Sequence, residues 1–149
     1  MIISKSFGYA LRGIVYVSAM STQGKKTVHA DEIATSLNIP KHFLGKIMNK
    51  LVKAGILDSS KGQNGGFAIN QHTLTTPLLR IIEITSSDNL TSDCALGLKQ
   101  CNARNPCPLH DKMEFLRDHF YDVFINKTID SLLIEDREKL INSLAAIPG

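Results

Sequence analysis

Phe7, Ala10, Leu11, Ile14, Val15 and Ser18 recur at steps of three and four, which predicts an amphipathic helix from about Ser4 to Met20 with one face on a core. The turn-forming stretch 21–24 closes it. A second helix is predicted over residues 31–37, with Ile33, Ala34 and Leu37 inward and Asn38 suited to a left-handed exit. His29 and Glu32 have the spacing of a capping box with an imperfect first residue. Pro40 suits the first turn of a third helix, whose apolar positions Phe43, Leu44, Ile47, Met48 and Leu51 run up to a stop at Gly55. Two helices joined by a short turn form a helix-turn-helix candidate. Residues 56–60 and 67–70 then read as short strands around the turn-rich, basic stretch 61–66. A basic hairpin after a third helix is the layout of a winged helix.

Thr75 or Thr76 with Pro77 opens a fourth helix, in which Leu78, Ile81 and Ile82 share a face before Ser86, Ser87, Asp88 and Asn89 break it. A cysteine-bearing loop follows. From Pro108 the pattern is helical again, with Leu109, Met113, Leu116, Phe120 and Val123 at alternating four- and three-residue steps. That seam predicts a helix paired with its copy in a symmetric dimer; packing on the chain's own core is the alternative. Residues 135–146 read as a short closing helix. The predicted fold is mainly α: a winged helix-turn-helix with a small two-stranded wing and a long C-terminal dimerisation helix. The boundaries are 1–85 for the winged helix, 86–107 for the cysteine loop and 108–149 for the dimerisation and closing helices.

At 149 residues, 43% of them hydrophobic, the chain can bury one core and is short for two independent domains. Its net charge of +3 conceals an asymmetry. Residues 1–70 carry nine Lys/Arg against three Asp/Glu, and residues 71–149 carry eight against eleven. The N-terminal half is therefore suited to a polyanion. On the third helix the apolar positions leave Lys41, His42, Gly45, Lys46, Asn49, Lys50 and Lys53 on the other side, with no acid among them. Lysines neutralise phosphates and release counterions, and Asn49 can make paired hydrogen bonds to an adenine edge. Lys61 in the hairpin can reach a minor groove or its phosphates. A single basic helix is more often just solvated; helix, turn and basic wing together favour double-stranded DNA.

Cys94, Cys101 and Cys107 are the three cysteines, too few and too clustered for a secreted disulfide framework, which fits a reducing cytoplasm. The apolar run 13–20 is too short to span a bilayer, and neither a signal peptide nor a membrane anchor is expected. The pattern Cys94-x6-Cys101-x5-Cys107-x2-His110, with Asp93 before the first thiol, has the composition of a metal site. Thiolates suit iron-sulfur clusters and zinc alike. The gaps are wider than those of zinc knuckles, which tilts the reading toward a cluster; zinc and a thiol redox switch stay open. No nucleophile motif is present, so no enzyme is expected, and an iron-sulfur carrier would not need the basic helix and wing.

Tyr9-Ala10-Leu11-Arg12, Glu32-Ile33-Ala34, Ala54-Gly55-Ile56-Leu57, Gly65-Gly66-Phe67 and Cys107-Pro108-Leu109 occur in an order and spacing that resembles the Rrf-two family of bacterial regulators, which includes iron-sulfur sensors of the IscR and NsrR types. The resemblance runs from about Ile3 to Leu133. It implies a homodimeric winged-helix repressor or activator whose operator binding responds to nitric oxide, oxygen or cluster status. It also implies an iron-sulfur cluster, of two or four irons, in the loop before a crossing dimer helix. Cys94, Cys101 and Cys107 match the ligand positions, and His110 matches the histidine that completes coordination in IscR-like members, with Asp93 or an exogenous ligand as fallback. NsrR-like members can use an acid near the N-terminus, but the matching residue here is Gly8, which cannot ligate. Gly45-Lys46 stands where IscR-like members carry Glu-Gln, and Lys61 where they carry an arginine, which implies a different operator.

Overall fold

Ser4 caps the first helix, its hydroxyl accepting a hydrogen bond from the Phe7 N–H at 3.2 Å, and helix α1 (Lys5–Thr22) follows in the computed structural model of the chain. The structure describes residues 3–86 and 104–134. Phe7, Ala10, Ile14, Val15 and Ser18 are all buried along α1, as the spacing predicts. The Ser18 hydroxyl meets its polar need locally, donating to the Ile14 carbonyl at 2.8 Å.

Helix α2 (Ala30–Leu37) buries Ile33, Ala34 and Leu37 and ends at Asn38, which takes the left-handed conformation (φ 53°, ψ 46°) expected of it. The capping box does not form: His29 makes no side-chain cap bond, and Glu32 instead pairs with Lys25 and accepts from the Tyr16 hydroxyl. Helix α3 (Lys41–Lys53) starts after Pro40 and buries Leu44, Ile47, Met48 and Leu51. Phe43 departs from the expected pattern, for its side chain is 57% exposed. It precedes Leu44 by one residue, about 100° around the helix, and so falls off the edge of a stripe that the other four residues already fill.

The wing is the antiparallel pair β1 (Leu57–Ser60) and β2 (Gly66–Ile69), with Leu57 opposite Ile69 and Ser60 opposite Gly66. Val28, between α1 and α2, adds a further rung: Val28 and Phe67 exchange backbone hydrogen bonds of 2.9 and 2.8 Å. That close approach dictates the glycine at 66. It has φ +134°, and a Cβ there would lie 2.5 Å from the Val28 carbonyl oxygen. A side chain in this conformation would displace the rung, which ties the wing to the helix-turn-helix.

Helix α4 (Leu78–Thr85) places Leu78, Ile81 and Ile82 in the core. Helix α5 (His110–Asn126) packs on it and on α1, the Phe124 ring meeting Phe7 edge-on at 6.0 Å and stacking near Phe120 at 4.5 Å. The chain then returns to the winged helix. Leu78 N–H donates to the Lys127 carbonyl (2.8 Å), Ile129 N–H to that of Thr76 (3.2 Å) and Asp130 N–H to that of Leu74 (2.9 Å), while the Ile129 side chain is fully buried. Residues 129–134 are helical. Thr128 and Ser131 cap that turn reciprocally, each backbone N–H donating to the other's hydroxyl at 2.8 and 3.1 Å. This helical start is not expected from the sequence pattern, and the closing helix expected at 135–146 lies outside the described residues. No described helix is long and apolar enough to cross a membrane.

Candidate nucleic-acid interface and cysteine site

With Leu44, Ile47, Met48 and Leu51 fixed on the core, the geometry of α3 leaves His42, Lys46, Asn49 and Lys53 as one outward stripe at i, i+4, i+7 and i+11. All four are exposed, and Lys50 stands exposed beside them. Lys41 is also exposed, but its ammonium lies 2.8 Å from Asp31 of α2, so its charge is shared with that carboxylate. The other acid of α2, Glu32, is engaged by Lys25. The Lys25 hydrogen bond, with help from the Tyr16 hydroxyl, holds its carboxyl below the usual glutamate range despite some desolvation. Both acids of α2 thus have a lysine partner, and Lys46, Lys50 and Lys53 of α3 stay exposed.

Lys61 lies exposed at the start of the wing turn. The tip of that turn is braced by Thr27, which the sequence did not mark, and by His29, which the sequence marked only as an imperfect helix cap. The Thr27 hydroxyl donates to the Asn64 carbonyl at 2.8 Å, and His29 Nε2 lies 3.1 Å from the Gln63 carbonyl oxygen. No local motif marks these two contacts, since the partners are more than thirty residues away in sequence. The bracing ties the wing tip to the segment that leads into α2, which itself packs on α3.

At the start of α5, the Cys107 carbonyl accepts the His110 N–H at 3.0 Å, a turn that sets a half-buried free thiol one helical turn before a buried imidazole. His110 Nε2 is 3.9 Å from a Glu114 carboxylate oxygen, and His110, Asp111 and Glu114 bring donor atoms within 4.8 Å of one another. Asp111 and Glu114 were not singled out from the sequence; their i+1 and i+4 spacing from His110 is the signal that marks them. Carboxylates beside an imidazole orient it and raise its basicity as a ligand. Cys94, Cys101 and Asp93 lie outside the described residues. Of the described donors, the Cys107 thiol and the His110 imidazole are soft and borderline ligands of the kind an iron-sulfur or zinc site takes, and the Asp111 and Glu114 carboxylates beside the imidazole are hard oxygen donors.

The predicted seam of α5 divides. Leu109, Leu116 and Val123 are exposed, at 41%, 47% and 53%, whereas Met113 and Phe120 are half-buried and Phe120 packs on the chain's own core.

The sequence profile of the Rrf2 family, described as an iron-dependent transcriptional regulator, matches residues 3–135. The chain belongs to the Rrf2 family. An HTH-type transcriptional regulator of Aquifex aeolicus (strain VF5) is 34% identical over 140 residues, covering 92% of this chain and 95% of that protein. The HTH-type transcriptional regulator NsrR of Geobacillus kaustophilus (strain HTA426) is 26% identical over 133 residues, covering 89% and 88%. Among solved structures, CymR of B. subtilis, the global cysteine regulator of that organism, superposes with a TM-score of 0.73 at 18% identity, over 91% of this chain and 98% of CymR. The protein is therefore an Rrf2 winged-helix transcriptional regulator, a DNA-binding protein and not an enzyme.

Proposed function

We propose that this Rrf2 regulator reads its operator with the outward face of α3 and the wing, as a homodimer paired along α5, under the control of an iron-sulfur cluster held by Cys94, Cys101, Cys107 and His110. The observation that carries the DNA-reading assignment is the exposed, acid-free stripe of His42, Lys46, Asn49 and Lys53, flanked by Lys50, beside a wing pinned in place. Lys41, Lys46, Lys50, Lys53 and Lys61 position the duplex through phosphates, and His42 and Asn49 face base edges. A cytoplasmic location follows from a DNA partner and a free thiol.

The cluster assignment draws on the family's description as iron-dependent and on the NsrR relative, together with the Cys107–His110 turn. When bound, the cluster supplies an iron centre open to nitric oxide or oxygen. The chain's own part is transmission. Cys107 and His110 fix the first turn of α5; α5 is wedged by Phe120 and Phe124 against Phe7 of α1; and the exposed Leu109, Leu116 and Val123 pair with a second copy. A constraint at the first turn thus biases how the two DNA-reading heads are spaced. Operator half-sites lie about 34 Å apart or at multiples of that, so a small change in spacing alters affinity strongly.

Lys46→Ala and Lys50→Ala are each expected to weaken binding to all duplex DNA and to reduce the slope of log affinity against log salt by about one. Asn49→Ala is expected instead to relax preference at particular base pairs, by roughly 1–3 kcal/mol. Fluorescence anisotropy across a salt series reads all three. An unchanged affinity and slope for Lys46→Ala would remove α3 from the interface.

A further inference from the structure

Phe43 has no role in the core and none in the phosphate-binding set, yet it is a large apolar side chain more than half exposed on the first turn of α3. It shares a side of the helix with Lys46 and Lys50, at i+3 and i+7, and its ring meets that of His42 edge-on at 6.1 Å. It is thus an apolar island set among cationic and polar groups that face a polyanion. Leaving a phenyl ring in water is unfavourable, so a ring in this position gains when the partner covers it with an apolar group. Phosphates offer none, and the C–H surface of the sugars is the same at every base pair. In the major groove the one apolar base feature is the 5-methyl group of thymine, and the N-terminal residues of a recognition helix are those that reach base edges.

We propose that Phe43 is a specificity-determining residue that reads a thymine in each operator half-site through its 5-methyl group. The proposal rests on α3 being the DNA-reading helix. Phe43 is not one of the buried core residues, so truncating it is expected to leave the fold intact, and a thermal melt of each variant checks this.

The test starts by selecting binding sites for the dimer from randomised duplex DNA. Each thymine of the selected site is then replaced in turn by deoxyuridine, which removes the methyl and nothing else. At one thymine per half-site the unsubstituted protein loses roughly four-fold in affinity, the loss expected for one buried methyl group. Phe43→Ala loses roughly ten-fold on the thymine duplex and shows no further loss with deoxyuridine, whereas Phe43→Leu keeps most of the discrimination. The proposal is overturned if Phe43→Ala stays as sensitive to deoxyuridine as the unsubstituted protein. It is also overturned if Phe43→Ala weakens binding with no change in base preference, which would place another occupant over the ring. In either case Lys46→Ala separates the two levels. A reduced salt slope for that variant leaves α3 in the groove and removes Phe43 alone; an unchanged slope removes the reading of α3 as well.

Discussion

Protein purified without oxygen will be coloured and will carry iron and sulfide, and Cys94→Ala, Cys101→Ala and Cys107→Ala will each abolish the chromophore. A thiolate is a strong, anionic ligand, and a water in its place neither matches its affinity for iron nor bridges the charge lost. His110→Ala will behave differently. The imidazole is the weaker donor, and Asp111 and Glu114 stand beside it with oxygens within 4.8 Å, so a cluster still forms but is more labile. Its half-life in air, followed by absorption, will shorten while the initial iron content stays close to that of the unsubstituted protein. Colourless anaerobic protein holding stoichiometric zinc, with DNA affinity indifferent to all four substitutions, would sink the sensor and leave the winged helix standing.

If α5 pairs two copies as proposed, Leu116→Asp will yield a monomer and lose operator binding with it. Leu116 is 47% exposed and takes no part in the chain's own core, so its replacement leaves the protomer folded. In a symmetric seam the same substitution occurs on both sides. Each carboxylate then loses water on burial, each unpaired charge costing several kcal/mol. Sedimentation at the monomer mass, with an unchanged circular dichroism spectrum and melting temperature within a few degrees, is the expected result. A dimer that survives intact would move the seam to another face of the chain. Phe120→Asp is the less informative variant, because Phe120 stacks near Phe124 and loosens the protomer as well.

Periodicity carried most of the fold because the elements are short, capped and amphipathic. Ser4, Asn38 and Gly55 end or begin helices where their conformational preferences place them, and the pair Gly65-Gly66 marks the wing turn. What periodicity cannot supply is the width of a buried stripe. Phe43 has the right spacing from Ile47 to be inward and is outward, at the edge of the stripe that Leu44, Ile47, Met48 and Leu51 bury. Pairings distant in sequence were equally hidden: Val28 with Phe67, Thr27 with Asn64 and His29 with Gln63 follow from tertiary folding and have no local signature. The α5 pattern carried two messages at once. The seam spacing picked out Phe120, and missed Phe124, because that helix packs one side on its own protomer while Leu109, Leu116 and Val123 stay exposed on another. At the cysteine site the local relation of Cys107 to His110 was legible from their spacing, since a three-residue step at a helix start is one turn.

In the proposed mechanism, what sits at Cys107 and His110 governs what α3 and the wing do. This coupling is tested most directly by the affinity of one protein preparation for its selected operator duplex, measured anaerobically by fluorescence anisotropy before and after exposure to nitric oxide. The account predicts a change of at least about ten-fold, the equivalent of roughly 1.4 kcal/mol of coupling, that is absent in Cys107→Ala. Equal affinity before and after, in protein whose absorption shows that the cluster has reacted, would contradict it.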